Sequence, residues 1–489
     1  MPDATRLPVC FLASEVAPLS KTGGLADVSA ALTGVLTEAG HDVRLFTPAY
    51  ASIDRVACGA EPVAGLKRLQ VRVGASTYPF AVLRGTLPGG APVYLLDCPA
   101  LFARPTLYTS DPDEHVRFLA FTRAALLSCL QMHWAPRIVH CNDWHTGFAP
   151  LFLRSSYRSE PLLAGARTLL TIHNIGYQGI FAATQVADLN LAGADLGLLY
   201  QPDLRAGHIN ALRQGILYAD AINTVSPTHA REICSEEYGM GLQDSLRARS
   251  AVLSGILNGV DYREWDPRHD PVLPEHYDPE HLVVKARLKA QLTARDGLDP
   301  APAVPLAGIV SRLAAQKGIE LMFEALPRVL ERRALNLIVL GNGEPQYVVF
   351  FRELATRFAG RVHFHHGYDN ALAHWIEAAS DMFLMPSRYE PCGLNQMYSL
   401  RYGTVPIVRR TGGLADSVEH FDARTGEGTG IVFNDFDTPA LEWALNTALD
   451  LYTQPVHWSR LVQNGMARDF SWARQAREYL ALYRGLAGP

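Results

Sequence analysis

Short apolar runs recur along the chain, and each stops at a turn or a polar residue: VCFLASEV (9–16), DVRLFTPAY (42–50), RIVHCND (137–143), RTLLTIHN (167–174) and AINTVS (221–226). Runs that are continuous rather than alternating suit strands buried on both faces. Between several of them apolar residues recur at spacings of three and four, as in LADVSAALTGVLTEAG (25–40), which predicts a helix closed by Gly40. Strands alternating with helices predict a parallel sheet covered by helices on both sides.

The pattern lapses over 266–305, a stretch rich in proline and acidic residues around one helical piece, HLVVKARLKAQL, and this reads as an interdomain connection. It resumes in LAGIVSR (306–312), NLIVLG (336–341), VHFHHGY (362–368), MFLMPS (382–387), VPIVRR (405–410) and GIVFND (430–435). The fold expected is α/β, two doubly wound domains facing across a cleft. The first takes 1–255, joined by a C-terminal helix at 470–489, and the second takes 256–469. At 489 residues the chain is too long for one ordinary domain.

Composition narrows the function classes. Lys and Arg number 44 against 49 Asp and Glu, a net charge of -5, which argues against nucleic-acid or anionic-membrane partners. The 7 cysteines contain no CxxC pair, so reduced thiols in the cytoplasm are expected. The opening MPDATRLP has no apolar core behind basic residues, and no long apolar run follows, so neither a signal peptide nor a membrane span is expected.

In doubly wound sheets, ligands bind beyond the carboxyl ends of the strands, so the loops there carry the chemistry. KTGGLADV follows the first strand. Gly23 and Gly24 let backbone N–H groups approach an anion at a helix start, and Lys21 adds a mobile charge, although the residues alone favour a tight turn with a solvated lysine. SRLAAQKG brings Arg312 and Lys317 to a strand end, able to neutralise a leaving diphosphate without a metal. In SRYEPCGLNQMY, Glu390 precedes Pro391, Gly393 and a predicted helix start, while Cys392 reads as a small packed side chain. HCNDWHTG and TIHNIGYQG place Asp143, Trp144, His145, His173, Asn174 and Tyr177 at neighbouring strand ends, a polar and aromatic set suited to sugars. DPD (111–113) and DFD (435–437) read as helix caps rather than metal ligands, GNGEPQ lacks the third glycine of a dinucleotide loop, and no metal or cofactor is expected.

These blocks, with GILYADAINTVSPTHAREI (215–233), GILNGVDYREWDP (255–267) and RTGGLADSV (410–418), resemble the bacterial glycogen synthases and plant starch synthases from about residue 9 to the closing FSWARQAREYLALY (470–483). The resemblance implies an open, double-Rossmann glycosyltransferase. It would move glucose from ADP-glucose to the non-reducing end of an α-1,4-glucan such as glycogen, with retention of configuration. It also implies that Lys21 contacts the donor, Arg312 and Lys317 hold the diphosphate, Glu390 binds the donor glucose, and Cys392, Gly393, Leu394 and Asn395 lie near the distal phosphate. His173, Asn174 and Asp143 fall near the reacting glucose and Tyr368 near the adenine. Two departures stand out: Tyr398 where many related transferases carry a second glutamate, and Arg213 where the family usually has lysine, near the variable His208. The closing helix is expected to pack on the first domain as core. Alternatives are a same-fold transferase using UDP-glucose or another acceptor, or an inactive glucan-binding relative; oligomeric state is not legible. The second TGGLAD loop is expected to be a structural turn that echoes the first.

Overall fold

The computed structural model describes residues 6–488, so the start of the amino-terminal stretch read above (residues 1–5) and Pro489 lie outside the described residues. The chain divides into two compact units: one runs to Val225, adds Ala230–Gly259 and takes everything from Trp472 on, and the other comprises Ser226–His229 and Val260–Ser471.

The sheet of the first unit follows the order Leu253–Gly255, Ala221–Thr224, Arg167–Ile172, Ile138–Asn142, Pro8–Leu12, Asp42–Pro48, Pro92–Asp97, Ser76–Thr86, Glu61–Pro62. Pairing is parallel as far as Pro92–Asp97 and antiparallel beyond it, where Leu69–Val73 also pairs Ser76–Thr86. That antiparallel flank goes beyond the predicted elements. Its hairpin turns at Gly74, whose φ of +60° suits glycine. The central strands are largely buried, and Phe11, Phe46, Phe118, Phe121 and Phe152 are among the large buried side chains of the core they share with the helices. This is the continuous apolar reading of VCFLAS and RIVHC made physical.

The second unit has one parallel sheet ordered Val362–His366, Asn336–Gly343, Leu306–Leu313, Met382–Met385, Val405–Arg409, Ile431–Phe433. Counted along the chain this is 3-2-1-4-5-6. The direction of winding reverses at Leu306–Leu313, so the loops leaving it and Met382–Met385 diverge and leave an opening at their carboxyl ends. The first unit reverses in the same way at Pro8–Leu12, with Ile138–Asn142 on its other side.

Two expectations need correction. The proline-rich stretch is no loose connection: it is packed into the second unit. Trp265 is stacked between His374 (3.8 Å between centroids) and Tyr398 (4.0 Å), Asp266 accepts from Arg268 (2.7 Å) and Arg401 (2.5 Å), and Asp270 accepts from His374 (2.7 Å) and Tyr402 (2.6 Å). Tyr398, one of the two departures noted above, is thus a stacking partner. The DPD segment precedes helix Glu114–Gln131 as expected, but Asp113 makes no side-chain cap. Arg104 holds it at 2.5 Å and Asp111 at 2.8 Å. In DFD, Asp437 does cap, accepting from the Ala440 amide at 2.8 Å.

Burial raises the Asp270 carboxyl, but the His374, Tyr402 and Val272 hydrogen bonds outweigh it and hold the group below the ordinary carboxylate range. The stability it contributes is therefore present above the unfolded value, near pH 4, and is lost as pH falls through the lower folded value. Asp270→Ala should lower the unfolding free energy measured in urea at pH 7 by about 3 kcal/mol, with the deficit shrinking toward pH 3. An equal stability at pH 7 would remove this cluster as an anchor of the linker.

Candidate active site

In the first unit the loop leaving Pro8–Leu12 is organised by Glu15, which is 4% exposed. Its Oε2 accepts the Thr22 amide at 2.5 Å and the Gly23 amide at 3.2 Å, and its Oε1 accepts the Thr22 hydroxyl at 2.7 Å and the Tyr108 hydroxyl at 2.6 Å. These amides front helix Gly24–Glu38, so the chain itself supplies an anion at this helix start. The Gly23 amide, expected to meet a donor phosphate, is thus occupied. The outer face of the turn stays open, since a Cβ added at Gly23 meets nothing within 4 Å. Lys21 pairs with Asp27 at 2.7 Å and keeps a side chain 45% exposed.

The loop after Ile138–Asn142 begins with Asp143, a non-glycine residue at φ +54°. Its Oδ1 accepts the His173 amide at 2.7 Å and the Asn174 amide at 3.4 Å, tying together two adjacent strand ends. Burial, against the pull of those amides, pushes the Asp143 carboxyl up to about 7. Burial also holds the His173 imidazole down at about 3, so the ring is neutral. The side-chain amide of Asn142 donates to the Leu12 carbonyl at 2.9 Å, which leaves its Oδ1 to accept from His173 Nε2 at 2.9 Å. That network assigns the proton to Nε2 and leaves Nδ1 as an acceptor. Trp144 stacks on His145 with centroids 4.2 Å apart and lies against Gly179, where a Cβ would come within 2.1 Å of the indole. Tyr177 stands 57% exposed on the same loop, and Asn174 accepts the Gly176 amide at 3.0 Å. Arg213 spends its fork within this unit, on Asp203 (2.9 Å), Ser245 (2.9 Å) and the Gly241 carbonyl (3.0 Å), while His208 lies 3.4 Å from Asp203.

In the second unit the structure brings Lys317 and Glu390 together from the two loops that diverge at the reversal point. Their charged atoms are 2.5 Å apart, and Ser387 donates to the same carboxylate oxygen at 3.0 Å. Among the described residues, the other oxygen of Glu390 has no hydrogen-bond partner, and the exposed Arg312 guanidinium has neither a hydrogen bond nor an ion pair. Gly318 makes the approach possible: its φ is +67°, and a Cβ there would lie 2.0 Å from the Pro386 carbonyl. Cys392 is buried, and Gly393 takes φ +72° ahead of Leu394 and helix Asn395–Arg401. Asn395 donates its side-chain amide to the Val310 carbonyl at 2.8 Å, bracing the loop on the first strand. Tyr368, past the edge strand, is 73% exposed and donates to Asn370 at 2.9 Å.

The two TGGLAD loops share a strand-turn-helix plan and differ in use. In the second, the Gly413 amide donates to the Glu390 carbonyl at 3.0 Å, and a Cβ there would sit 2.1 Å from the Cys392 carbonyl, so this turn is a floor for the EPCGL loop. Sequence reasoning missed Glu15, Tyr108 and Asn142. The signal for Glu15 was present, a lone carboxylate inside the apolar run VCFLASEV just ahead of a glycine turn. For the other two the signal lies only in the tertiary contacts.

Comparison with known proteins supplies the family. The model described as starch synthase catalytic domain matches residues 8–248, and the one described as glycosyl transferases group 1 matches residues 294–464. The chain is 46% identical over 486 residues to the glycogen synthase of Anaeromyxobacter dehalogenans (strain 2CP-C), covering 98% of this chain and 100% of that protein. It is 42% identical to the glycogen synthase of Koribacter versatilis (strain Ellin345), covering 97% of each. The solved catalytic domain of starch synthase IV from Arabidopsis thaliana, bound to ADP and acarbose, superposes with a TM-score of 0.90 at 34% identity, covering 99% of both chains. Sucrose-phosphate synthase from Thermosynechococcus elongatus shares the fold at a TM-score of 0.62 and 20% identity. Matched by these models over 8–248 and 294–464 and by relatives along almost its whole length, the chain belongs to the glycogen synthase and starch synthase family of glycosyltransferases.

Proposed function

We propose that the protein elongates an α-1,4-glucan by transferring glucose from ADP-glucose to its non-reducing end, with retention, in the cytoplasm. The observation that carries this reading is the Lys317–Glu390 pair at the reversal point of the second unit's sheet, with Arg312, exposed and without a partner among the described residues, near the end of the strand Leu306–Leu313 that leads to Lys317. Two cations at that position suit a nucleoside diphosphate, whose departure develops negative charge that they stabilise more in the transition state than in the ground state. The carboxylate pins Lys317 and presents its other oxygen to sugar hydroxyls. The adenine assignment draws on the ADP-bound starch synthase relative, with Tyr368 as the exposed ring that would pack on the base. Lys21 and the open face of the first glycine turn would contact the donor. Asp143 would act by holding the His173–Asn174 turn, and the acceptor nitrogen of His173 would receive a sugar hydroxyl.

In the transfer, the bond from glucose C1 to the diphosphate oxygen breaks and a bond from C1 to the acceptor 4-hydroxyl oxygen forms. Retention follows if attack comes from the side of departure, with the leaving phosphate oxygen taking the hydroxyl proton. A glucosyl-enzyme adduct trapped on a carboxylate would overturn that step.

Release of ADP from ADP-glucose with glycogen primer tests the function, and turnover is expected to exceed that with UDP-glucose; a clear preference for UDP-glucose would overturn the donor. Lys317→Ala and Glu390→Ala should each lower kcat by at least ~100-fold with the circular dichroism spectrum unchanged. Near-normal activity in either would remove that residue from the site.

Asp143 yields a pH prediction. A carboxyl raised in the folded state is protonated there more readily than in the unfolded chain, so stability falls as pH rises from its unfolded value near 4 toward 7. Asp143→Asn keeps the acceptor for both amides and removes the buried charge. The variant should be the more stable at pH 8, by at most about 4 kcal/mol, with the advantage vanishing near pH 4. Equal stability at both pH values would show that the buried charge carries no cost.

A further inference from the structure

The closing helix Trp472–Ala487 was expected to contribute only core. Two of its tyrosines, Tyr479 and Tyr483, are 0% exposed, yet their hydroxyls end on polar partners of the first unit's sheet. The Tyr483 hydroxyl lies 2.7 Å from His140 Nδ1, and the opposite ring nitrogen lies 2.7 Å from the Thr171 hydroxyl. The Tyr479 hydroxyl accepts from Asn223 Nδ2 at 3.1 Å, and the same amide reaches the Thr171 hydroxyl at 3.5 Å. His140, Thr171 and Asn223 are each at most 1% exposed.

Thr171 is where these contacts meet the site. It stands two residues before His173, and its carbonyl accepts the Asp143 amide at 2.9 Å. Asp143 in turn holds the His173 amide at 2.7 Å. The His140 imidazole is kept neutral by burial, so it has one donor and one acceptor. The neutral ring therefore donates to one of the Thr171 and Tyr483 hydroxyls and accepts from the other, while Asn223 donates to the threonine oxygen. The bonds thus run unbroken from the Tyr483 hydroxyl through His140 to Thr171.

Packing a helix on a sheet requires none of this. Phenylalanine at either tyrosine position would pack the same ring without burying a hydroxyl. Asn223 even keeps its Oδ1 buried without a partner while its amide serves Tyr479 and Thr171. A polar chain held at that desolvation cost, ending on the backbone of the proposed reacting turn, suits fine positioning more than bulk stability.

We infer that the C-terminal helix positions the reacting turn: Tyr483 through His140, and Tyr479 through Asn223, fix Thr171 and with it the Asp143–His173 pair. Tyr479, Tyr483, His140 and Asn223 are positioning residues, and the inference rests on the reading that His173 serves the transfer.

Tyr483→Phe deletes one hydroxyl and keeps the ring. Its kcat should fall about 10-fold, with KM for donor and for glycogen each within about twofold. In a His173→Ala background the same substitution should cause no further loss of kcat, since the group being positioned is gone. Leu126→Ala, a core truncation away from this chain of bonds, should lower Tm and leave kcat unchanged. Thr171→Val should reproduce the kcat loss and Thr171→Ser should restore it; this pair decides the matter if Tyr483→Phe does not fold. Unchanged kcat in Tyr483→Phe and Thr171→Val, or an undiminished further loss in the His173→Ala background, would overturn the inference while leaving the site reading intact. Unchanged kcat in His173→Ala alone would overturn the site reading and the inference with it.

Discussion

Each unit depends on one topological constraint. A chain that builds a parallel sheet with right-handed crossovers on both faces must reverse its winding direction somewhere. On either side of that strand the connecting loops leave in opposite directions, and no helix covers the carboxyl ends there. In the second unit the reversal falls at Leu306–Leu313, and Lys317 and Glu390 come from its two diverging loops. In the first it falls at Pro8–Leu12, and the two diverging loops supply Glu15 and Asp143. The sheets thus determine where chemistry is possible before any reactive side chain is specified.

What occupies these openings follows one electrostatic logic with two outcomes. In the first unit the backbone amides at the strand ends are satisfied internally. Glu15 takes those of Thr22 and Gly23, and Asp143 takes those of His173 and Asn174. These buried carboxylates fix loop shape, and burial leaves Asp143 raised to about 7 as a record of the cost. In the second unit the charge is left partly unsatisfied: Lys317 is neutralised by Glu390, while Arg312 has no partner among the described residues. Loops with satisfied amides in the first unit suit a polar sugar, and spare cationic capacity in the second suits a charged leaving group.

Much of this was legible in the sequence because burial on both faces writes itself as continuous apolar runs. VCFL, IVHC, LAGIVS and MFLM all lie in strands of the sheets. The antiparallel flank at 61–97 was not read, since its strand Ser76–Thr86 is only intermittently buried and the apolar signal breaks up. The meeting of Lys317 with Glu390 fits their positions in the sequence, because strand-end loops are short enough for position to imply proximity. Glu15, Tyr108 and Asn142 were not legible, because their roles are set by contacts across large sequence separations, 93 residues for Glu15 with Tyr108 and 130 for Asn142 with Leu12. The capping expectation at DPD failed for a related reason: Arg104 offers Asp113 a charged bidentate partner, which is stronger than a lone backbone amide.

In the proposed transfer, side-chain cations and not a divalent metal carry the diphosphate of the departing nucleotide. Steady-state kcat with ADP-glucose and glycogen, measured after exhaustive chelation with EDTA and again after adding back Mg²⁺, tests it most directly. The same kcat is expected in both conditions. A kcat that collapses under EDTA and returns with Mg²⁺ would contradict it.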